Sequence, residues 1–512
     1  MLAKVLLLVV FFVVTITVGL SFRKRNTSVD SFVLGGREIG PWLTAFAYGT
    51  SYFSAVVFVG YAGQFGWRFG ISAVWIGLGN AFIGSLLAWV VLARRTRVMT
   101  RHINSATMPD FFGIRYNSQA IKIGASVITF VFLVPYTASL YNGLSRLFSM
   151  AFNVDFTICI AAMGALTAIY VITGGYRATA ANDFIQGIIM LFGIVAVISA
   201  VLAANGGFLS SLDALSRIED ASVSASPGIF ASFFGPSPID LLGVVILTSV
   251  GTWGLPQMVQ KFYSIKSEKN INTGTVVSTV FAIIISGGCY FLGGFGRLFS
   301  DAAGVKTGGF DSIIPTMLSG FPDPLIGIVI VLVFAASIST LSSLVMTSAS
   351  TFALDFLNGG IVKRMDERAQ LMSIRVLIAI FIIISTIIAT VQYKDGVTFI
   401  AQLMGVSWGA LAGAFLAPFM YGLYWRRTSS AAVWCNFIFA SAFMLANIFF
   451  RPQFPLMLAS PINAGAFTMI AGLIIVPAVS LITPAPDAKL VQNCFVCYET
   501  PVAVKARESL GA

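Results

Sequence analysis

Runs of roughly 20 apolar residues recur about thirteen times along the chain, each long enough to carry a helix across a ~30 Å hydrocarbon core. They fall at 2–21, 42–66, 71–92, 121–148, 156–173, 180–203, 238–258, 271–297, 322–354, 372–391, 397–423, 430–450 and 461–482. With 57% of residues hydrophobic and only 10% charged, a water-soluble globule of 512 residues would expose large apolar patches. The expected fold class is therefore an all-α membrane protein, with one transmembrane domain over residues 1–482 and a short tail over 483–512. The longest gap, near 204–237, is too short to fold by itself.

Short cytoplasmic loops retain positive charge, which makes the placement of Lys and Arg a test of topology. With the N-terminus outside, 23 of the 31 basic residues gather on one side. They are Arg23, Lys24, Arg25 and Arg37, then Arg94, Arg95, Arg97, Arg101, Arg115 and Lys122, then Arg177, then Lys261, Lys266 and Lys269. Lys363, Arg364, Arg368, Arg375, Arg426 and Arg427 follow, and the tail adds Lys489, Lys505 and Arg507. This predicts a multi-pass protein of the plasma or inner cell membrane, surrounded by lipid bilayer, with its C-terminus in the cytoplasm. The net charge of +11 follows from that topology, and no run interleaves bases with aromatics, so no nucleic-acid partner is expected. The Arg23-Lys24-Arg25 cluster, with no small-residue cleavage site before it, predicts an uncleaved first span.

The five cysteines suggest no disulfide framework, and the CxxC pair Cys494 and Cys497 cannot alone complete a four-ligand zinc site. His102, the single histidine, sits among loop bases, and no His, Cys or carboxylate cluster has catalytic spacing, so no enzyme is expected.

Two uncharged stretches stand out instead. Ala336-Ser337-Ile338-Ser339-Thr340-Leu341-Ser342-Ser343 loads the ninth span with hydroxyls, and Tyr48-Gly49-Thr50-Ser51-Tyr52-Phe53-Ser54 interrupts the second. Such oxygen-rich, helix-breaking patches cost free energy in a bilayer unless they bind something, and hard cations take oxygen ligands, so a sodium site is expected. Positions 336, 339, 340 and 343 follow i, i+3, i+4, i+7 and share one helical face. A second interruption, Gly251-Thr252-Trp253-Gly254-Leu255-Pro256-Gln257, combines two glycines with a proline that lacks a backbone donor. The two breaks open the second and seventh spans, the first members of successive five-span groups at about 42–203 and 238–423. Five is odd, so the second group is inverted, and breaks at matching positions of inverted halves mark the midplane site of a secondary transporter. Asp183 lies near the start of the sixth span, either as a residue favoured by the helix dipole or as part of an ion path.

Three motifs carry a resemblance. Ser31-Phe32-Val33-Leu34-Gly35-Gly36-Arg37, Gly174-Gly175-Tyr176-Arg177 through Asn182-Asp183-Phe184-Ile185-Gln186, and Ser339-Thr340-Leu341-Ser342 together resemble the sodium:solute symporter family over roughly residues 28–430. The resemblance implies the LeuT-type fold, in which spans two to six and seven to eleven form two inverted five-helix repeats, and sodium-coupled symport by alternating access. Carried over position by position, it implies a sodium site made by the backbone carbonyls of Thr50, Phe53 and Ala336 and the hydroxyls of Ser339 and Thr340. Some members look to have a second sodium site, for which the matching residues here are Asp183, Ser342 and Ser343.

The solute is expected between the two breaks, near Tyr52, Ser54 and Val57, Tyr136 of the fourth span, and Thr252, Trp253 and Gln257. Aromatics would wall a small pocket there, and helix N-termini and amides would meet a carboxylate. Gly35-Gly36-Arg37, Tyr136 and Leu255-Pro256-Gln257 look like the proline symporters. Those symporters carry an aspartate where this chain has Tyr52, and an aromatic where it has Thr252. Tyr52-Phe53-Ser54-Ala55-Val56 looks more like the monocarboxylate, pantothenate and multivitamin branch. The Glu-Gln pair of the sugar carriers is replaced by Val56-Val57, which offer no hydrogen bonds to sugar hydroxyls. The expectation is a symporter importing a small carboxylate-bearing solute: a monocarboxylate, pantothenate or a proline-like amino acid. A proton-coupled carrier resting on Asp183, or a sugar-type symporter of the same fold, is the alternative, and no filter-like loop suggests a channel.

Overall fold

Phe192, Leu242, Ile383 and Ile474 stand outward from the helices of the computed structural model, as a lipid-immersed bundle requires. The structure describes residues 2–21, 28–224, 226–301, 304–305, 309–362, 365–395 and 400–499; of the bases named above, Arg23, Lys24, Arg25, Lys363, Arg364, Lys505 and Arg507 lie outside them. Among the described residues, regular structure is helical apart from three isolated β-bridges, and eleven helices are long and apolar enough to cross a membrane. The chain is a multi-pass membrane protein.

The expected thirteen spans differ from those eleven in two places. The second span is divided at Phe53, and its latter half runs into the third within one stretch, Val56–His102. The junction is the tight turn Gly70–Ala73, entered with Gly70 at φ 64°. The fifth span is a shorter apolar helix, Phe156–Ile169. No loop separates it from the sixth, because both belong to Phe156–Ala204, which bends at Gly175 (φ 58°, ψ −174°). Asp183 follows that bend by two turns and is fully buried, so it is not a helix-capping residue.

The ninth span, Asp323–Thr351, and the eleventh, Ile400–Tyr424, are the most deeply buried. Both are rich in Ala, Gly and Ser, which let neighbouring backbones approach closely. The closest approach joins Ala62–Phe69 to Gly288–Gly294: a Cβ on Gly66 would fall on the Gly293 carbonyl, and one on Gly293 on the Ala62 carbonyl.

At the end where most bases gather, Gly35, Gly36 and Arg37 form a left-handed turn with φ of 62°, 69° and 54°. Arg177 Nε donates to the Gly35 carbonyl at 2.9 Å, so two of the sequence motifs interlock. Ile39 pairs with the chain at Ile265: its N–H donates to the Ser264 carbonyl and its own carbonyl accepts from Lys266, each at 3.1 Å. Arg97 donates to the carbonyls of Ile265 and Lys266 at 2.9 and 2.7 Å. These bonds tie down the seventh span's exit at the basic end. His102, expected as a solvated loop residue, ends the helix Arg94–His102, exposed and 2.8 Å from the Asn493 carbonyl. All five cysteines are unpaired.

Candidate functional site

The first break falls after Tyr52, not at Gly49-Thr50-Ser51 as the glycine suggests. Gly49 stays helical, and its missing side chain makes room for the Phe281 ring. The chain leaves the helix at Phe53 (φ −108°, ψ 115°), and Ser54 restarts it: its Oγ accepts from Val56 N–H at 3.2 Å and its carbonyl from Val57 and Phe58 at 3.0 Å each. Ser54 therefore acts as an N-cap for the second half-helix. The second break lies where the glycines and proline predict it. Pro238–Val250 gives way to a tight turn, Gly251–Trp253, then to extended Leu255, and a new helix, Pro256–Tyr263, opens with proline at its first position.

Facing the first break, the ninth span brings its oxygens to the unwound backbone. Thr340 Oγ1 lies 3.0 Å from the Thr50 carbonyl and 3.0 Å from the Ala336 carbonyl. Phe53, Ser54 and Ala336 border a void of about 10 Å³ whose other walls, Phe58, Met190, Ile194, Ile285, Cys289 and Leu332, are apolar. Ser339 Oγ is buried, has no hydrogen-bond partner among the described residues, and turns toward the Asp183 carboxyl. Of the five expected sodium ligands, Thr50, Ala336 and Thr340 thus meet within hydrogen-bonding distance, Phe53 borders the void beside Ala336, and Ser339 faces Asp183. Their uncharged oxygens suit a monovalent hard cation.

The second expected cluster contains a residue that sequence reasoning placed in a loop. Lys261 belongs to the half-helix Pro256–Tyr263 and is only 2% exposed. Its Nζ donates to Ser343 Oγ at 2.8 Å and stands 4.0 Å from Asp183 Oδ2, with the Tyr176 ring centroid at 5.2 Å. Ser51 Oγ lies 2.8 Å from Ser343 Oγ. Ser342 Oγ donates back to the Ser339 carbonyl at 2.8 Å. The overlooked signal was helical spacing: Lys261 is four residues after Gln257, on the same face of the half-helix.

The expected solute residues separate into two groups. Trp253 Nε1 donates to the Ile83 carbonyl of the third span at 3.0 Å, and Thr252 Oγ1 lies between two carbonyl acceptors, Gly84 of the third span at 3.0 Å and Ser249 of its own at 2.9 Å. Tyr48 donates to the same Gly84 carbonyl at 2.7 Å. The third span widens to a π-turn over Phe82–Leu87, which offers its carbonyls to neighbouring helices. Tyr52 likewise donates its hydroxyl to the Thr248 carbonyl, while its ring stacks on Phe53. The other group makes no hydrogen bond among the described residues: both amide atoms of Gln257 are buried, and Tyr136 Oη is buried facing Ser54 and the Trp408 indole. Val57 is buried in the restarted helix beside Ser54.

Trp408 of the eleventh span, absent from the sequence reading, links the aromatic walls. Its ring is 6.0 Å from Tyr52 and 5.9 Å from Tyr136, it packs under Gly251, and its Nε1 is also unpartnered among the described residues. The glycine that makes room for this ring is Gly251 of the seventh span, a long-range pairing with no mark in the local sequence, while Gly405 and Gly409 admit Ile462, Met444 and Gly465.

The profile of the sodium:solute symporter family matches residues 32–438. The osmoregulated proline transporter OpuE of Bacillus subtilis (strain 168) is 26% identical over 481 residues, covering 93% of this chain and 94% of the relative. A sodium/proline symporter of Staphylococcus aureus is 27% identical over 436 residues, covering 83% of this chain and 82% of that one. Among solved structures, a substrate-bound, outward-open Na+-coupled sialic acid symporter superposes with a TM-score of 0.73 at 17% identity, over 95% of this chain and 99% of its own. Mhp1, a nucleobase-cation-symport-1 family transporter, gives 0.52 at 14%, over 91% and 98%. These likenesses show the fold, the LeuT-type arrangement that the family resemblance implied.

Proposed function

Since the chain belongs to the sodium:solute symporter family, whose members couple solute movement to sodium, we propose that it imports a small carboxylate-bearing solute, with proline-like amino acids as the first candidates. The observation that carries this reading is the set of buried groups without partners among the described residues: Tyr136 Oη, Trp408 Nε1 and the Gln257 amide. A carboxylate accepts hydrogen bonds and donates none, so it needs such donors. The Gln257 carbonyl oxygen is the matching acceptor for an ammonium. The two proline carriers described above, similar over most of their length, support the amino-acid member of the class.

Sodium is held by Thr50, Phe53, Ala336, Ser339 and Thr340 in this reading. The bases at one end, by the positive-inside rule, put that end in the cytoplasm and the N-terminus outside. The protein acts as a carrier, without catalysis.

The test is uptake into proteoliposomes under an imposed sodium gradient, comparing radiolabelled L-proline, short monocarboxylates, pantothenate and glucose. Saturable, sodium-dependent accumulation of a carboxylate is expected. Thr340→Ala should raise the half-saturating sodium concentration about tenfold, equivalent to ~1.4 kcal/mol. Preference for glucose would sink the solute class, and equal uptake driven by pH in sodium-free buffer would sink the sodium site.

A further inference from the structure

Lys261 makes the contacts of a bound monovalent cation. Its ammonium donates to one hydroxyl, Ser343 Oγ at 2.8 Å, faces one carboxylate, Asp183 at 4.0 Å, and lies 5.2 Å from the centroid of the Tyr176 ring. Asp183, Ser342 and Ser343 are the residues expected to hold a second sodium, and they now have other engagements. Ser343 Oγ accepts from Lys261 and bonds Ser51, while Ser342 Oγ gives its hydrogen to the Ser339 carbonyl and keeps its lone pairs. The Asp183 carboxyl and the Ser339 hydroxyl face one another, neither making a hydrogen bond among the described residues. With an ammonium lodged among them, these oxygens make a poor sodium site: the ammonium takes the Ser343 oxygen, and its like charge repels the ion.

The pairing also works in the other direction. A carboxylate as deeply buried as Asp183 needs a compensating charge, and removing one partner of such a pair leaves the other uncompensated in a medium that cannot solvate it. A sodium ion could supply that charge, but only by diffusing in. The lysine is joined to the site through its own backbone, on a half-helix clamped between the second break and the Ile39–Ile265 pairing. Its effective concentration there exceeds that of any free ion at ordinary salt.

We propose that Lys261 is a tethered cation standing in the second ion site, so that this carrier binds and moves one sodium per cycle, the ion held by Thr50, Phe53, Ala336, Ser339 and Thr340. The inference rests on the sodium-coupled reading above and deepens it by fixing the number of ions. It also gives Asp183 a definite role, as a positioning residue for the ammonium.

The experiment counts bound radiolabelled sodium on the purified full-length protein, in choline chloride and without solute. One sodium per chain is expected for the unaltered protein. Lys261→Ala and the near-isosteric Lys261→Met should each bind two, and adding Asp183→Asn should return the count to one. Lys261→Arg, which keeps the charge, should stay at one. Two sodiums on the unaltered protein would overturn the inference while leaving sodium coupling intact. A folded Lys261→Met that still binds one would overturn it as well, by showing that the lysine excludes nothing. No sodium at all on the unaltered protein would remove the coupling reading and the inference together. Should both neutral variants fail to fold, the count on the unaltered protein still decides, and the sodium dependence of its melting temperature supplies a second reading, since each bound ion stabilises by mass action.

Discussion

Asp311 is a carboxyl that folding withdraws from water. It sits in the short turn Phe310–Ser312, is 2% exposed, accepts from Ile400 N–H at 3.3 Å, and faces Arg146 across 3.9 Å. Burial pushes it up from 3.8 to about 6, with Arg146 and the Ile400 N–H opposing the rise. The folded state therefore holds this proton more tightly than the unfolded state does. The resulting stability is fully present below about pH 4 and is lost as pH rises through about 6, by roughly 3 kcal/mol at ~1.4 kcal/mol per unit. Asp311→Asn should remove that slope, so the melting temperatures of the two proteins in detergent should diverge between about pH 4 and pH 7, with the original losing ground as pH rises. Parallel curves would contradict the assignment. Residues of this kind are hard to read in a sequence. Lys261 was counted with Lys266 and Lys269 as a loop base, because charge-counting takes exposure as its default. Only the structure shows Asp183 waiting opposite Lys261.

Among the elements, the bend at Gly175 separates the fifth and sixth spans and so sets the direction in which Asp183 points. Its backbone, φ 58° with ψ −174°, lies in a region essentially reserved for glycine. Gly175→Ala should cost about 1–3 kcal/mol and lower the melting temperature by about 1–3 °C, a drop measurable in a thermal-shift assay. An unchanged melting temperature would mean that the bend is easily relaxed. The seventh span's interruption was legible residue by residue, since proline and paired glycines act on the backbone locally. The second span's was misplaced, because Gly49 serves a neighbour's ring and Ser54, an ordinary hydroxyl in the sequence, restarts the helix. The π-turn at Phe82–Leu87 left no sequence mark: its carbonyls are satisfied by Tyr48, Thr252 and Trp253, and such long-range partners are invisible to periodicity. The aromatic wall was half legible for the same reason, Tyr52 and Tyr136 being recognised while Trp408 between them was not.

For the whole molecule, the ion count sets how steeply solute can be concentrated. A potential of ~100 mV acting on one charge supplies ~2.3 kcal/mol, or about fiftyfold accumulation of a solute without net charge. With equal sodium on both sides and that potential imposed, uptake into proteoliposomes should plateau near fiftyfold; a plateau near the square of that figure would mean two ions. How the bundle delivers this work is constrained at the crossing of Gly66 and Gly293. There the two backbones touch with nothing between them, like planks nailed face to face. Even a methyl group at either glycine would wedge the latter half of the second span away from the eighth.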